Sequence, residues 1–251
     1  MMRGSFKWNG VDSADYGVHI TRQPDLIQSA ERMTFQTVPG RHGTVALSQS
    51  MYGKPVYEDV IMAVDCIIDA PFATDLLSYM IENVGAWLTG YGELELPFLP
   101  NRYFKAHVTS QIPFSQIMRG REPREFTITF RCDPFVYFAN TSLITFTQSE
   151  NKLLNPGNVD SEPKITVTLN SGTGLLQIGD SAIYFSNLSG DVTVDCAAGI
   201  VYKNSPSSMF GANEVEIAEG FWPKFWPGLN AVNWSGGITK VVIEPRWRSR
   251  L

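Results

Sequence analysis

Apolar and polar residues alternate along much of the chain, a pattern typical of β-strands. Residues 126–133 read FTITFRCD, so that Phe126, Ile128 and Phe130 share one face with Cys132 while polar residues occupy the other. This run predicts a strand with one packed face and one wet face. Residues 60–69 show the same period of two. Shorter candidate strands lie at residues 5–8, 18–22, 33–38, 44–47 and 104–112.

One segment between Pro71 and Gly85 has helical spacing instead. Its apolar residues recur about once per helical turn, at Phe72, Leu76, Tyr79, Met80 and Val84. Proline in the first turn and glycine at the end are common helix boundaries. We therefore predict one helix, with this apolar stripe packed on the sheet that the neighbouring strands form.

The texture of the sequence changes after Phe138. Residues 151–163 are rich in Asn, Pro, Gly and Ser. Beyond them, short apolar runs at residues 165–169, 175–178, 183–186, 192–195, 200–203 and 240–247 are mostly separated by glycine-containing turns. Closely spaced short strands of this kind predict an antiparallel β-sandwich. We place a boundary near residues 137–140, which gives two domains, residues 1–138 and residues 139–251.

Charge and hydropathy argue against nucleic acid and membranes as partners. The formal net charge is −5, whereas a nucleic-acid-binding surface needs clustered Lys and Arg. The one basic run, residues 119–124 (RGREPR), contains Glu and Pro and is interpreted as a solvated loop. No apolar stretch reaches the length of a membrane span, and residues 1–7 contain no apolar signal core. We expect a protein that is made in a cytoplasm and has no membrane partner.

The sequence offers few residues for metal or cofactor chemistry. The three cysteines are far apart, which argues against a zinc ribbon or a disulfide framework: Cys66, Cys132 and Cys196. No two of the three histidines have metal-ligand spacing: His19, His42 and His107. Nucleophile-elbow and phosphate-loop motifs do not occur. Asp65 and Asp69 share one strand face but are interpreted as solvated. We expect no enzyme, no cofactor and no metal.

Two aromatic segments are candidate contact sites. Residues 221–228 (FWPKFWPG) include Trp222 and Trp226, with prolines that prevent a regular strand. The loop could fold over the sandwich core, contact a protein partner or stack on a sugar ring. The segment at residues 245–248 (PRWR) carries Trp247 and Arg248. It could form an interface or close the last strand, and the pattern favours the strand.

Short motifs in a fixed order resemble the distal tail (Dit) protein family of siphophages. They are residues 6–10 (FKWNG), 15–18 (DYGV), 38–43 (VPGRHG), 87–92 (WLTGYG), 103–106 (YFKA), 130–134 (FRCDP), 155–157 (NPG), 162–163 (EP) and 243–248 (IEPRWR). The motifs extend over nearly the whole chain. The resemblance implies a mainly β protein, with an N-terminal split β-barrel carrying one helix and a C-terminal galectin-like antiparallel β-sandwich.

The resemblance also implies a function. A virion structural protein of this family forms a homo-hexameric ring at the phage tail tip, with the sandwiches on its outside. The ring links the major tail tube protein to a tail-associated or tail-tip protein. Receptor-binding and tape measure proteins are further expected partners. DNA passes through the lumen without specific binding.

Two other readings remain open at this stage. One is a carbohydrate-binding adhesin of the host cell wall, acting through the C-terminal sandwich and its tryptophan loop. The other is a glycosidase formed by carboxylates that are distant in sequence. For the ring, the loop Pro39, Gly40, Arg41 and Gly43 is a candidate contact because a rigid turn there presents an arginine suited to bidentate pairing with a carboxylate. Trp222, Trp226, Trp247 and Arg248 complete the candidate interface set.

Overall fold

The computed structural model describes residues 4–47, 55–69, 74–110, 124–211, 214–218 and 221–251. Within it the chain is mainly β, with 52% of residues in strands. The chain divides into two compact units, Met1–Tyr137 with Arg250–Leu251, and Phe138–Ser249. Phe72 and the basic residues 119–123 lie outside the described residues.

The first unit contains a curved sheet, a helix and a separate hairpin. Its elements are β1 (Lys7–Trp8), β2 (Val11–Asp12), a 3₁₀ turn (Ser13–Tyr16), β3 (Val18–Ile20), β4 (Phe35–Thr37), β5 (Thr44–Ala46), β6 (Val60–Ile68), α1 (Thr74–Trp87), β7 (Tyr91–Glu95), β8 (Arg102–Val108) and β9 (Arg124–Phe138). The main sheet has the order β2-β1-β7-β8-β9-β6-β3 and forms a half-barrel. β4 and β5 pair only with each other among the described strands.

The long pair β6–β9 follows the predicted alternation. Met62 lies opposite Phe130, and Val64 lies opposite Ile128, in an antiparallel register. All four side chains are buried in the core of this unit. Because side chains of a strand point alternately to opposite faces, the polar residues between them line the outer face.

The helix is confirmed, but the predicted apolar stripe is partly wrong. The residues of α1 and its end that face the core are Leu77, Ile81, Val84 and Leu88. Leu76 and Tyr79 are instead 47% and 62% exposed. The helix continues through Gly85 to Trp87, which shows that this glycine does not end it. This apolar helix has hydrophobic residues on two adjacent faces, and its periodicity does not show which face is buried. In the structure the sheet packs against only one of them.

The second unit is a nearly closed, barrel-like sheet. Its strands are β10 (Ile144–Phe146), β11 (Asn151–Asn155), β12 (Lys164–Ile178), β13 (Ser181–Phe185), β14 (Gly190–Asp195), β15 (Ile200–Tyr202), β16 (Val215–Ile217) and β17 (Gly228–Glu244). The short last strand, β18 (Arg248–Ser249), is not part of this sheet. β12 and β17 pair along their length from Lys164↔Glu244 to Ile178↔Val232. β14 and β13 pair with successive halves of β12, and β10 and β11 with the two halves of β17.

Register shifts near Leu169 and Gly174 interrupt the central pair. Irregularities of this kind bend a strand and increase its twist, so one long pair can serve both layers of a sandwich. The pattern predicted two strands, at residues 165–169 and 175–178, where the structure has the single strand β12. The run predicted at residues 240–247 corresponds to the end of β17, which begins earlier, at Gly228, and stops at Glu244. β11 lies in a segment whose composition indicated no strand. The predicted fold class is confirmed: mainly β, with a helix-bearing half-barrel followed by an antiparallel β-sandwich.

Candidate functional site

Four of the family-like motifs meet in an aromatic cluster within the first unit. The ring of Trp87 stacks on Tyr16, with centroids 4.6 Å apart and planes at 10°. It also stacks on Phe6, at 5.6 Å and 23°. Phe6 in turn meets Phe130 edge-on at 6.0 Å. Offset stacking and edge contacts are the favoured arrangements of aromatic rings, so these motif residues hold the helix end and the N-terminal strands on the sheet.

Asn9, Gly10 and Gly92 form a second structural cluster. Asn9 and Gly10 have φ angles of 52° and 78° and join β1 to β2, as expected of an Asn-Gly hairpin turn. The Asn9 side-chain oxygen accepts a hydrogen bond from the Glu93 amide at 2.9 Å. A Cβ on Gly92 would collide with this Asn9 amide. The Asn9 side chain therefore occupies the space that the absent Gly92 side chain leaves, across the β1–β7 pair.

In the second unit, the NPG motif meets the C-terminal motif. Asn155 is 2% exposed, and its side-chain oxygen accepts from the Gly157 amide at 2.8 Å. Its side-chain nitrogen donates to the carbonyls of Val159 and Phe225, at 3.0 Å and 2.9 Å. A Cβ on Gly157 would collide with the Arg248 carbonyl oxygen. Only glycine permits this close approach of the two backbones.

Arg248 takes part in a half-buried ion network. Its guanidinium donates to the Asp160 carbonyl at 2.6 Å and to the Glu162 carboxylate at 3.2 Å. Lys224 contacts the same two acids, at 3.0 Å and 2.9 Å. Burial alone would lower the pKa of Lys224, but hydrogen bonds from its ammonium group to Glu162 and Asp160 outweigh it and raise the pKa.

The PRWR segment was predicted to form an interface or to close the last strand, but residues 245–247 lie between β17 and the short last strand and belong to neither. Trp247 is 7% exposed and meets buried Phe225 edge-on at 5.5 Å. Arg248 is 9% exposed and is engaged in the network with Asp160 and Glu162. Both side chains are used within this unit.

The aromatic loop is divided between core and surface. Phe225 is fully buried, and the Trp222 ring lies against Gly199. Trp226 is 40% exposed on the loop that leads into β17. The buried side chain of Asn230 holds this loop: it accepts from the Trp226 amide and donates to the Trp226 carbonyl, both at 2.8 Å. Trp226 is therefore presented on a backbone that is fixed from within.

Trp226 belongs to a set of exposed apolar residues near the start of β17. Leu154 and Leu229 lie opposite each other on β11 and β17. They are 57% and 72% exposed. Large apolar side chains that share a strand pair and remain in solvent are typical of protein contact surfaces.

The loop Pro39–Gly43 lies at the tip of the β4–β5 hairpin, and residues 32–44 are exposed throughout. Gly40 and Gly43 have φ angles of 79° and 77°, which confirms that the turn uses the left-handed region. The Arg41 guanidinium makes no ion pair within the described residues. Just before the hairpin, the exposed Arg32 side chain pairs with Glu58 at 2.7 Å.

Comparison with known proteins identifies the fold. No protein-family model matches the chain, and no curated protein matches it. Among solved structures, the SPP1 Dit (gp 19.1) protein superposes with a TM-score of 0.70 and 14% sequence identity, over 98% of both chains. That protein is described as a paradigm of the hub adsorption apparatus in phages that infect Gram-positive bacteria.

The chain has the Dit fold. The resemblance inferred from the short motifs is thereby confirmed at the level of the fold. The sequence identity is low, and the motif residues described above have structural roles in this chain. They hold turns, rings and ion pairs in place in a Dit fold.

No catalytic or metal-binding constellation stands out in the described part of this Dit fold. Burial raises the pKa of the Cys66, Cys132 and Cys196 thiols to about 12, so they are protonated at neutral pH. Asp65 is engaged by Thr127 at 2.9 Å and Arg22 at 3.4 Å. Over the described ranges, no group of three or more potential ligands could hold a metal ion. None of the helices described there is long and apolar enough to cross a membrane.

Proposed function

We propose that the chain is a virion structural protein that forms a homo-hexameric ring at a phage tail tip. The Dit fold supports this role, because the matched SPP1 protein is described as part of a hub adsorption apparatus. In the proposed ring, one face joins the major tail tube protein and the other joins a tail-associated or tail-tip protein. DNA passes through the central channel without specific binding.

The observation that carries the proposal is the exposed β4–β5 hairpin. It includes Phe35, which is 58% exposed, and it is flanked by Met33 at 54% and Val38 at 40%. A two-stranded hairpin without a packed face is marginally stable in water. Apolar side chains on such a hairpin become stabilising when a second surface covers them, at about 25 cal/mol per Å² of apolar area.

A neighbouring copy is the partner we propose for this hairpin. Cyclic rings use heterologous interfaces, in which one patch on each subunit meets a different patch on the next. The β4–β5 hairpin is suited to such a contact because its strands pair only with each other among the described strands and its apolar side chains are exposed. Arg41 at its tip supplies a guanidinium that can pair with a carboxylate of the neighbour.

The Trp226 surface is proposed as the contact for another tail component. Trp226, Leu154 and Leu229 lie in the second unit, whereas the hairpin belongs to the first. Exposed tryptophan is enriched at protein interfaces. A receptor-binding or tail-associated protein could therefore dock here while the hairpin serves the ring.

The test replaces the hairpin's main apolar side chain with a charge. Light scattering coupled to gel filtration measures the mass of the wild type, alone and mixed with its tail tube protein. We expect a hexamer in at least one condition, and we expect Phe35→Asp to reduce it to monomer. Leu143→Asp, at a position 64% exposed in the second unit, is the matched control and should still assemble. A wild type that stays monomeric in both conditions would refute the proposal.

A further inference from the structure

A groove on the outer face of the second unit is distinct from all the surfaces described above. It lies where the register shift bends β12 against β17, beside β13, and has a volume of about 210 Å³. Its lining includes Thr173, Leu175, Tyr184, Ser186, Ser235 and Gly236. We propose that this groove binds one unit of a neutral saccharide, with the Tyr184 ring as the stacking platform.

The strand register explains how these side chains come together. Leu175 on β12 lies opposite Tyr184 on β13 and opposite Ser235 on β17. Side chains of directly opposed residues lie on the same face of a sheet. Ser186 directly follows the end of β13, and Thr173 directly precedes the first residue of the β12–β13 ladder; both line the same groove.

Gly236 lines the groove at a close approach of two strands. Its φ angle is 75°, and a Cβ there would lie 2.5 Å from the Thr173 carbonyl oxygen. The backbones of β17 and β12 can approach this closely because no side chain separates them. The groove is therefore a consequence of the bend itself and does not require a loop to move.

The hydroxyl groups around the groove are free to bind a ligand. Within the described ranges, the side chains of Thr173, Tyr184, Ser186 and Ser235 make no hydrogen bond to other protein groups. Two threonines of β12 outside the groove are paired instead: Thr166 with Thr193 at 3.2 Å and Thr168 with Asp191 at 2.6 Å. Each free hydroxyl can both donate and accept, which matches the hydroxyl groups of a sugar.

The aromatic residue and the absence of charge define the ligand class. Tyr184 is 44% exposed, so its ring can cover an apolar face of a sugar while its hydroxyl remains at the polar edge. The groove lining contains no lysine or arginine, and a phosphate or carboxylate ligand would need one. A neutral pyranose satisfies both conditions. An apolar peptide does not, because the hydroxyls would lose water without gaining partners.

This inference is independent of the ring proposal, because it concerns a face of the second unit and requires only a folded chain. The experiment is saturation-transfer NMR on the full-length protein, with glucose, galactose, rhamnose and N-acetylglucosamine as probes. Glucuronic acid and glucose 1-phosphate form the anionic arm. We expect at least one neutral sugar to bind with millimolar affinity and its anionic counterparts to bind more weakly.

Variants locate the binding to the groove. Tyr184→Ala should weaken binding by roughly tenfold, since it removes the stacking ring. Tyr184→Phe keeps the ring and should retain most of the signal. Tyr79→Ala, which removes an equally large side chain that is 62% exposed on α1, should bind as the wild type does. Circular dichroism melting confirms that each variant is folded.

Two results would overturn the proposal. One is the absence of saturation transfer to every neutral sugar in the panel. The other is a signal that persists unchanged in folded Tyr184→Ala, since binding would then lie elsewhere. Equal binding of the neutral and anionic sugars would also contradict it, because the groove as described selects against charge.

Discussion

Buried asparagines organise the second unit at the scale of single residues. Asn155 and Asn230 are 2% and 4% exposed, and each uses both ends of its side-chain amide on backbone groups. A buried amide without such partners would cost free energy. In the sequence nothing distinguishes these residues from exposed Asn170, which lies on β12. Their burial depends on distant strands, so a local pattern does not reveal it.

We expect Asn230→Ala to lower the free energy of unfolding of the second unit by about 2–4 kcal/mol, because the Trp226 amide and carbonyl lose their buried partner. Urea denaturation followed by tryptophan fluorescence measures this change. Asn170→Ala, at an exposed strand position, serves as the control and should stay within about 0.5 kcal/mol of the wild type. Equal denaturation midpoints for the two variants would show that the hydrogen bonds between Asn230 and the Trp226 backbone do not contribute to stability.

At the scale of secondary-structure elements, some turns are determined by local sequence and others also by contacts with distant residues. The Asn9–Gly10 turn is readable from sequence, because a two-residue hairpin of this kind needs positive φ angles. The 3₁₀ turn that ends at Gly17 is a different case. Gly17 has a φ of 69°, and a Cβ there would lie 2.9 Å from both the Asp69 carbonyl oxygen and the Met80 side chain. This second constraint is tertiary and only the structure shows it.

Alanine substitutions at these two glycines should therefore differ. Gly10→Ala introduces a positive-φ side chain into open space and should cost about 1 kcal/mol. Gly17→Ala carries the same backbone penalty and also pushes against the Asp69 carbonyl, which adds about 1–3 kcal/mol. Thermal unfolding by circular dichroism compares them directly. If both variants melt at the same temperature, the close contact between Gly17 and the segment after β6 has no energetic weight.

At the scale of the whole molecule, long strands are the part that the sequence predicts best. β6 and β9 alternate over many residues, so period and burial agree. The β4–β5 hairpin also has apolar residues that suggest a core strand, yet Phe35 lies in solvent. An apolar pattern in a sequence indicates that side chains are hydrophobic. It does not distinguish side chains buried within the chain's own core from side chains on a surface that a partner protein could cover. For the same reason, the sequence does not show that Trp226 is exposed whereas Trp247 is buried.

The role of the hairpin tip can be tested at the level of assembly. Arg41 is exposed and makes no ion pair within the described residues, so Arg41→Ala should leave the stability of the single chain nearly unchanged. In the proposed ring, the Arg41→Ala variant loses a charge-assisted hydrogen bond to a neighbouring subunit. This loss should lower the association constant between subunits at least about tenfold. Arg41→Lys keeps the charge but lacks the bidentate geometry, and should have an intermediate effect.

Analytical ultracentrifugation over a concentration series, with and without the tail tube protein, measures this equilibrium. Lys152→Ala is the control, since it removes the same charge from an exposed position of the second unit. Assembly by Arg41→Ala that is as strong as that of Lys152→Ala would place the loop away from both the subunit contact and the tube contact. A loss specific to the mixture with tube protein would instead assign the hairpin tip to the tube, because the contact between copies would then be intact.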